Sequence, residues 1–151
     1  VVKARATLED PVTGTTNPKA IPGATIRYVI ITTNSGTGTA DTDSVVVTDA
    51  IPANTALRVV DFDGSTAGPV QFADGGTASG LSYTFAALDD TDDDVSFSDD
   101  NGATYDYEPS ADTNGVDTAV TNIRINPKGE LDASNGSGDP SMQLAFKVLV
   151  Q

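Results

Sequence analysis

The sequence contains no cysteine, histidine or tryptophan among its 151 residues. Without cysteine the chain forms no disulfide and offers no thiol nucleophile, and without cysteine and histidine it lacks the usual ligands of zinc. The absence of histidine also excludes a Ser–His–Asp triad. In so acidic a chain, a pair of catalytic carboxylates like those of glycosidases is still an open alternative, but no tryptophan is present to form an aromatic platform beside them. We therefore expect that the protein is not an enzyme.

Basic residues and long apolar runs are scarce. Eight lysines and arginines stand against 22 acidic residues, which gives a net charge of −14. A surface of this charge repels the phosphates of nucleic acid, so we expect no nucleic-acid partner. No apolar run approaches the ~18 residues that a membrane-spanning helix needs, so we also expect no membrane insertion.

Residues that favour strands recur along the chain in short runs. Residues 26–33 are almost wholly β-branched or aromatic, and the small residues 34–38 separate them from a second run at 44–48. This pattern predicts a central hairpin. Asn101-Gly102, a dipeptide that suits a two-residue turn, predicts another hairpin that continues into residues 103–107.

The last segment, residues 142–150, has the clearest alternation and predicts a strand with one face in the core. Its inward residues are Met142, Leu144, Phe146, Val148 and Val150.

The whole pattern predicts an all-β protein. About eight to ten short strands, separated by turns and without any helical period, are typical of an antiparallel Ig-like or jelly-roll-like β-sandwich. We divide the chain into an N-terminal strand at residues 1–8, a Pro- and Gly-rich linker at 9–23, and a single sandwich domain at 24–151.

Three spaced motifs lie in the first third of the chain: AIPG at residues 20–23, TNSG at 33–36 and VVTDAIPA at 46–53. Together they resemble the DUF11 repeat, and the match covers residues 20–60, roughly a quarter of the chain. Residues 97–104 and 123–129 look like those of small secreted single-copy members from Gram-negative bacteria.

The resemblance implies an Ig-like module that is exported to the cell surface or the extracellular space, and it supplies no catalytic residues. The chain begins with Val rather than Met, which we interpret as a processed chain whose signal peptide has been removed. Because the chain holds one copy rather than a tandem array, self-assembly is a more attractive role than membership of a multidomain stalk.

Residues 89–117 hold eleven of the 22 acidic residues and no lysine or arginine. Hard carboxylate oxygens suit Ca²⁺, although the spacing does not match an EF-hand loop. The other interpretation is a solvated acidic loop. We expect that the protein requires no cofactor, and we keep calcium as an open candidate. Its candidate ligands are Asp89, Asp90, Asp92, Asp93, Asp94, Asp99 and Asp100.

The N-terminal strand carries the sharpest hypothesis. Its alternation gives two faces, one with Val2, Ala4, Ala6 and Leu8 and the other with Lys3 and Arg5. The strand either pairs within its own sheet or inserts into a neighbouring copy, a form of β-augmentation called donor-strand exchange. In the second case the first face would fill pockets of the acceptor, and the two cations would approach an acidic neighbour.

We therefore predict an extracellular structural subunit whose partners are copies of itself. It would assemble head-to-tail into a filament or surface fibre through the N-terminal strand. The alternative is a monomeric cell-surface adhesion or binding module, whose dependence on calcium is left open.

Overall fold

A computed structural model describes all 151 residues, and it contains eleven strands and no helix. Accordingly, no helix in the chain is long and apolar enough to cross a membrane. The strands are β1 (Val2–Glu9), β2 (Thr25–Thr33), β3 (Val47–Ala50), β4 (Thr55–Arg58), β5 (Val70–Asp74), β6 (Leu81–Ser82), β7 (Val95–Ser98), β8 (Val116–Asp117), β9 (Asn122–Ile125), β10 (Lys128–Gly129) and β11 (Ser141–Val150).

The larger sheet is built around β11. It has six strands in the order β1-β2-β11-β4-β8, and β5 pairs with β11 as well, so that β5 and β4 cover successive halves of the same edge. All pairings are antiparallel. The predicted alternation of β11 is confirmed, because Met142, Leu144, Phe146 and Val148 are each at most 1% exposed.

The second sheet has the order β3-β9-β7, and β10 and β6 form a separate two-stranded sheet. A single cluster of 17 buried hydrophobic residues joins the two larger sheets, for instance through Tyr28 and Phe146 on one side and Phe97 and Ile123 on the other. Burying an Ile or Phe side chain stabilises a fold by about 1.5–3 kcal/mol. The predicted antiparallel all-β sandwich is confirmed.

The predicted central hairpin is wrong, because β2 and β3 lie in different sheets and do not pair. The cause is long-range hydrogen bonding. The side-chain amide of Asn34 donates to the carbonyl oxygens of Leu131 and Asp132, at 3.3 and 2.9 Å. The amide of Asn126 donates to the carbonyl oxygen of Val45 at 2.8 Å. These bonds lead the chain across to the second sheet instead of back along β2.

The turn at Asn101-Gly102 is confirmed, since both residues have positive φ, 62° and 83°. The hairpin predicted from it is wrong, because the chain after the turn makes only an isolated bridge between Phe97 and Tyr107. The neighbour of β7 is β9 instead. The carboxylate of Asp100 accepts hydrogen bonds from this loop, which holds the residues after the turn in a compact local structure.

Candidate functional site

The strand β1 lies at the edge of the larger sheet and pairs only with β2 of its own chain. The antiparallel register runs from Val2 opposite Ile31 to Thr7 opposite Ile26, and a bulge follows before Glu9. The other edge of β1 has no neighbouring strand. One ladder of main-chain hydrogen bonds therefore supplies most of the attachment of this strand.

The register decides which face of β1 points inward. Paired residues share a face, and the buried residues of β2 stand opposite Lys3, Arg5 and Thr7. The cationic face therefore points toward the second sheet. The other face carries Val2, Ala4 and Ala6, which are exposed, and the half-buried Leu8. We expected this apolar face to fill pockets, but in the observed register it turns away from the core.

Lys3 reaches from β1 across to the second sheet. Its ammonium lies 2.6 Å from Oδ2 of Asp49 in β3, 4.6 Å from the ring centre of Tyr28 and 5.9 Å from that of Phe146. The two rings stack on each other with centres 5.5 Å apart. We call Asp49, Tyr28 and Phe146 the Lys3 socket. It combines a carboxylate with aromatic faces, the two groups that attract a cation most directly.

The carboxylate in the socket has little contact with water. The side chain of Asp49 is 15% exposed, whereas that of Lys3 is 38% exposed. Oδ2 of Asp49 has no hydrogen-bond donor apart from this ion pair. Arg5, the second cation of the same face, is exposed and makes no ion pair. The structure thus engages one of the two predicted cations and leaves the other in solvent.

The segment between β1 and β2 is a folded loop rather than an extended linker. The buried carboxylate of Asp10 accepts hydrogen bonds of 2.7 Å from the backbone N–H groups of Val12, Thr13 and Lys19. It also accepts the hydroxyl of Thr13 at 2.7 Å. These donors, the backbone N–H of Thr13 first among them, hold the pKa of Asp10 well below its ordinary value.

The end of this loop is fixed to a different strand. The backbone N–H of Gly23 donates to the carbonyl oxygen of Val150 at 2.8 Å, and the N–H of Val150 donates to Ala24 at 2.9 Å. The chain from Gly23 onward is therefore anchored on β11. Residues 10–22 form the only covalent connection between that anchor and β1.

The seven calcium candidates do not converge. No group of three or more acidic residues is placed so that it could hold a metal ion. Four of the seven, Asp90, Asp93, Asp94 and Asp100, accept hydrogen bonds from nearby backbone instead. Asp93 accepts from Ala86 and Val95, Asp94 accepts from Thr84, and Asp90 accepts from Asp92. Calcium binding stays a prediction without a coordination geometry.

The environments of these carboxylates differ. Burial is the main effect on Asp93 and raises its pKa, while its hydrogen bonds oppose the shift. The backbone N–H of Thr104 is the main effect on Asp100 and lowers its pKa to about 2. Asp89, Asp92 and Asp99 lie among exposed loop residues. The acidic segment therefore contains carboxylates that organise loops as well as solvated ones.

A depression of about 460 Å³ lies beside the acidic loops. Its walls include Asp89, Asp106, Tyr105 and Tyr107, and its cations are Arg124 and Lys128. The guanidinium of Arg124 lies 4.6 Å from the ring centre of Tyr105. Such a lining suits a polar ligand that carries positive charge.

The chain matches no family model, and no significant match to a curated protein or a solved structure was found. The resemblance to the DUF11 repeat therefore rests on the three sequence motifs.

Sequence reasoning identified both faces of β1 but missed the socket that receives Lys3. One signal was available, because Asp49 belongs to the motif VVTDAIPA at residues 46–53. Phe146 was predicted only as a core residue, and Tyr28 only as part of the strand-favouring run at residues 26–33. Their contact with Lys3 depends on how three strands from two sheets meet, and no local pattern contains that information.

Proposed function

We propose that this chain is an exported structural subunit that assembles head-to-tail by donor-strand exchange. In this arrangement β1 of one copy leaves its own molecule and pairs with β2 of the next copy, which restores the edge of that sheet. Each copy donates one strand and accepts one. A series of such contacts that does not close into a ring builds a filament. Export is proposed on the resemblance to the DUF11 repeat.

The observation that supports exchange is that β1 contributes nothing to the apolar core of its own fold. No residue of β1 belongs to the core cluster of 17 residues or packs against it as a partly buried hydrophobic residue. Removal of β1 would leave that core in place. It would also expose unpaired N–H and C=O groups along β2, an edge that readily accepts another strand.

The connection between the two strands supports exchange as well. It has 15 residues, from Asp10 to Ala24, because β1 ends at Glu9 and β2 begins at Thr25. Antiparallel neighbours usually need a loop of only about 2–5 residues. Extended, residues 10–22 would span up to about 45 Å, enough to carry β1 into an adjoining copy. Because the ladder is the same within a copy and between copies, concentration drives the exchange.

Engineered cysteines test this proposal, since the native chain has none. Ala4 and Val29 stand opposite each other in the β1–β2 ladder, on the outer face. Residues that stand directly opposite each other in an antiparallel ladder are close enough for their cysteine variants to form a disulfide. The variants A4C and V29C would be purified separately, mixed at high concentration, oxidised and analysed on non-reducing gels. The two thiols meet in the ladder only if β1 of one copy occupies the groove of the other.

The A4C–V29C heterodimer is expected to form in strong preference to either homodimer. As a control, the double variant A4C/V29C would be oxidised at low concentration, which should lock β1 within its own molecule. The locked protein is expected to form no fibres in electron microscopy, and reduction should restore them. If the mixed variants give only monomers and unselective homodimers, strand exchange does not occur.

The second candidate function is a monomeric surface binding module. The 460 Å³ depression with its tyrosines and acidic walls favours it, because it offers a place for a polar cationic ligand. The cysteine experiment separates the two candidates. A chain that stays monomeric at every concentration, with β1 paired only within its own copy, would favour the binding module.

A further inference from the structure

Main-chain pairing alone does not determine how an incoming β1 strand aligns. Val2, Ala4 and Ala6 on its outer face are exposed, so they fill no shaped pocket, and Leu8 at its end is only half-buried. A shift of one residue would turn the strand over, but a shift of two residues keeps both its faces and its hydrogen-bonding pattern. A donor strand therefore needs a side-chain contact that fixes its register.

Lys3 makes that contact. Of the two ion pairs in the molecule, the one between Lys3 and Asp49 is the only one that involves β1. It also joins β1 to β3 in the opposite sheet, whereas the hydrogen-bonded ladder joins β1 to β2 alone. With Asp49 only 15% exposed, an apolar side chain in place of Lys3 would leave a poorly hydrated carboxylate without its counter-ion.

We propose that the Lys3 socket is a lysine-recognition site, which selects the incoming strand and fixes its register. Its ligand is the primary ammonium of Lys3 presented on an extended strand, and the partner that presents it is a second copy of this chain. The inference rests on the proposed strand exchange.

The socket distinguishes the observed register from its neighbours. If the strand slipped by two residues, the socket would receive either Val1 or Arg5. Val1 brings no side-chain charge to Asp49. Arg5 brings a planar guanidinium with five donors, a different shape from the compact ammonium that lies between the carboxylate and the two rings. Lys3 is the only lysine of β1, so only one register places a lysine side chain in the socket.

A competition between strands tests this role. Each native groove, the site beside β2 where β1 pairs, binds either its own β1 or a labelled strand from another copy. A defect in recognition therefore lowers the capture of the labelled strand. V29C would supply the grooves, and A4C would supply labelled strands. Every donor would also carry Asp49→Asn, so that its own groove forms no ion pair with either strand and only the V29C groove rewards Lys3. A second donor would carry A4C with Lys3→Met, and a third would carry A4C with Arg5→Met. The Arg5 donor is the matched control, because it loses the same charge two residues away.

Capture of the Lys3→Met donor, measured as the yield of heterodimer, is expected to fall about tenfold relative to the Arg5→Met donor. In grooves that also carry Asp49→Asn, the Lys3→Met and unmodified donors are expected to be captured almost equally, because the discriminating carboxylate is gone. The melting temperatures of all variants would be recorded to confirm that each one is folded.

The outcomes separate the two proposals. If heterodimers form and the Lys3→Met donor is captured as well as the Arg5→Met donor, the socket does not recognise lysine, while strand exchange stands. If the Lys3→Met defect is unchanged in Asp49→Asn grooves, the carboxylate is not the recognition element. If even the unmodified A4C donor is not captured, exchange itself fails and the recognition role fails with it.

Discussion

Two glycines with nearly the same backbone conformation have very different surroundings. Gly80 has φ +81°, and a Cβ added there would lie 2.8 Å from the carbonyl oxygen of Glu130. Gly64 has φ +80°, and nothing lies within 4 Å of its added Cβ. The first glycine precedes β6 and faces the chain that follows β10, so it allows these two short strands to approach. The second serves only a turn.

We predict that Gly80→Ala destabilises the fold more than Gly64→Ala does. Both alanines must adopt a left-handed conformation, which costs about 1–2 kcal/mol. Gly80→Ala must also displace the backbone at Glu130, which adds about 1–3 kcal/mol. Urea denaturation of both variants measures the difference in the free energy of unfolding. Equal losses would show that the close approach at Gly80 has no energetic consequence.

The turn at Asn101-Gly102 shows what a residue-level pattern can predict. A positive φ at both positions follows from the identity of the two residues, and the structure has it. The destination of the chain after the turn does not follow, because hydrogen bonds to Asp100 determine it. The Lys3 socket shows this limit of local patterns more strongly. Lys3 and Asp49 are 46 positions apart in the sequence, and neither residue alone indicates the other.

At the scale of the strands, Asp10 controls how firmly β1 is connected to the rest of the chain. Its ionised carboxylate accepts four hydrogen bonds from the loop, so its pKa is lower in the folded protein than the ordinary value of 3.8. A lowered pKa means that the ionised group stabilises the fold above the ordinary value. That stabilisation is lost as the pH falls toward the lower pKa of the folded state.

We predict that Asp10→Asn loosens the loop between β1 and β2 at neutral pH. An amide nitrogen cannot accept the bonds that Oδ2 receives from Thr13 and Lys19. Trypsin should therefore cleave after Lys19 faster than in the native chain. The difference in melting temperature between the native and Asp10→Asn proteins should be constant above pH ~5 and shrink below pH ~4.

Asp41→Asn is the control for this prediction, because the Asp41 side chain accepts no hydrogen bond within its own loop or elsewhere. It removes the same charge and should leave both the cleavage after Lys19 and the pH dependence unchanged. A difference between the native and Asp10→Asn proteins that persists undiminished at low pH would contradict the assignment to the Asp10 carboxylate.

The strands themselves were predicted unevenly, and the physical reason is the range of the contacts. The strand β11 is buried on one face along its whole length, so its alternation is visible in the sequence. The two faces of β1 were visible as alternation too, although most of its residues are exposed. Which of those faces points inward depends on the register with β2, and a shift of one residue would reverse it. The path from β2 to β3 depends on Asn34 and Asn126, whose partners are 81 to 98 residues away.

At the scale of the whole molecule, two electrostatic effects oppose each other during assembly. Each copy has a net charge of −14, so copies repel as they approach. Inside the acceptor groove, the ammonium of Lys3 is attracted by Asp49. The repulsion acts over long distances through solvent, whereas the attraction acts at contact in a partly buried site. Salt screens the first effect much more than the second.

We therefore predict that salt accelerates strand exchange without abolishing its selectivity. Between about 10 mM and 150 mM NaCl the Debye length falls from about 30 to about 8 Å, which removes most of the repulsion between approaching copies. The rate of A4C–V29C heterodimer formation should rise over this range, while the preference for Lys3 over Lys3→Met donors should change little. Potassium chloride at the same ionic strength is the control for a cation-specific effect. A rate that falls as salt is added would mean that long-range attraction, not repulsion, governs the encounter.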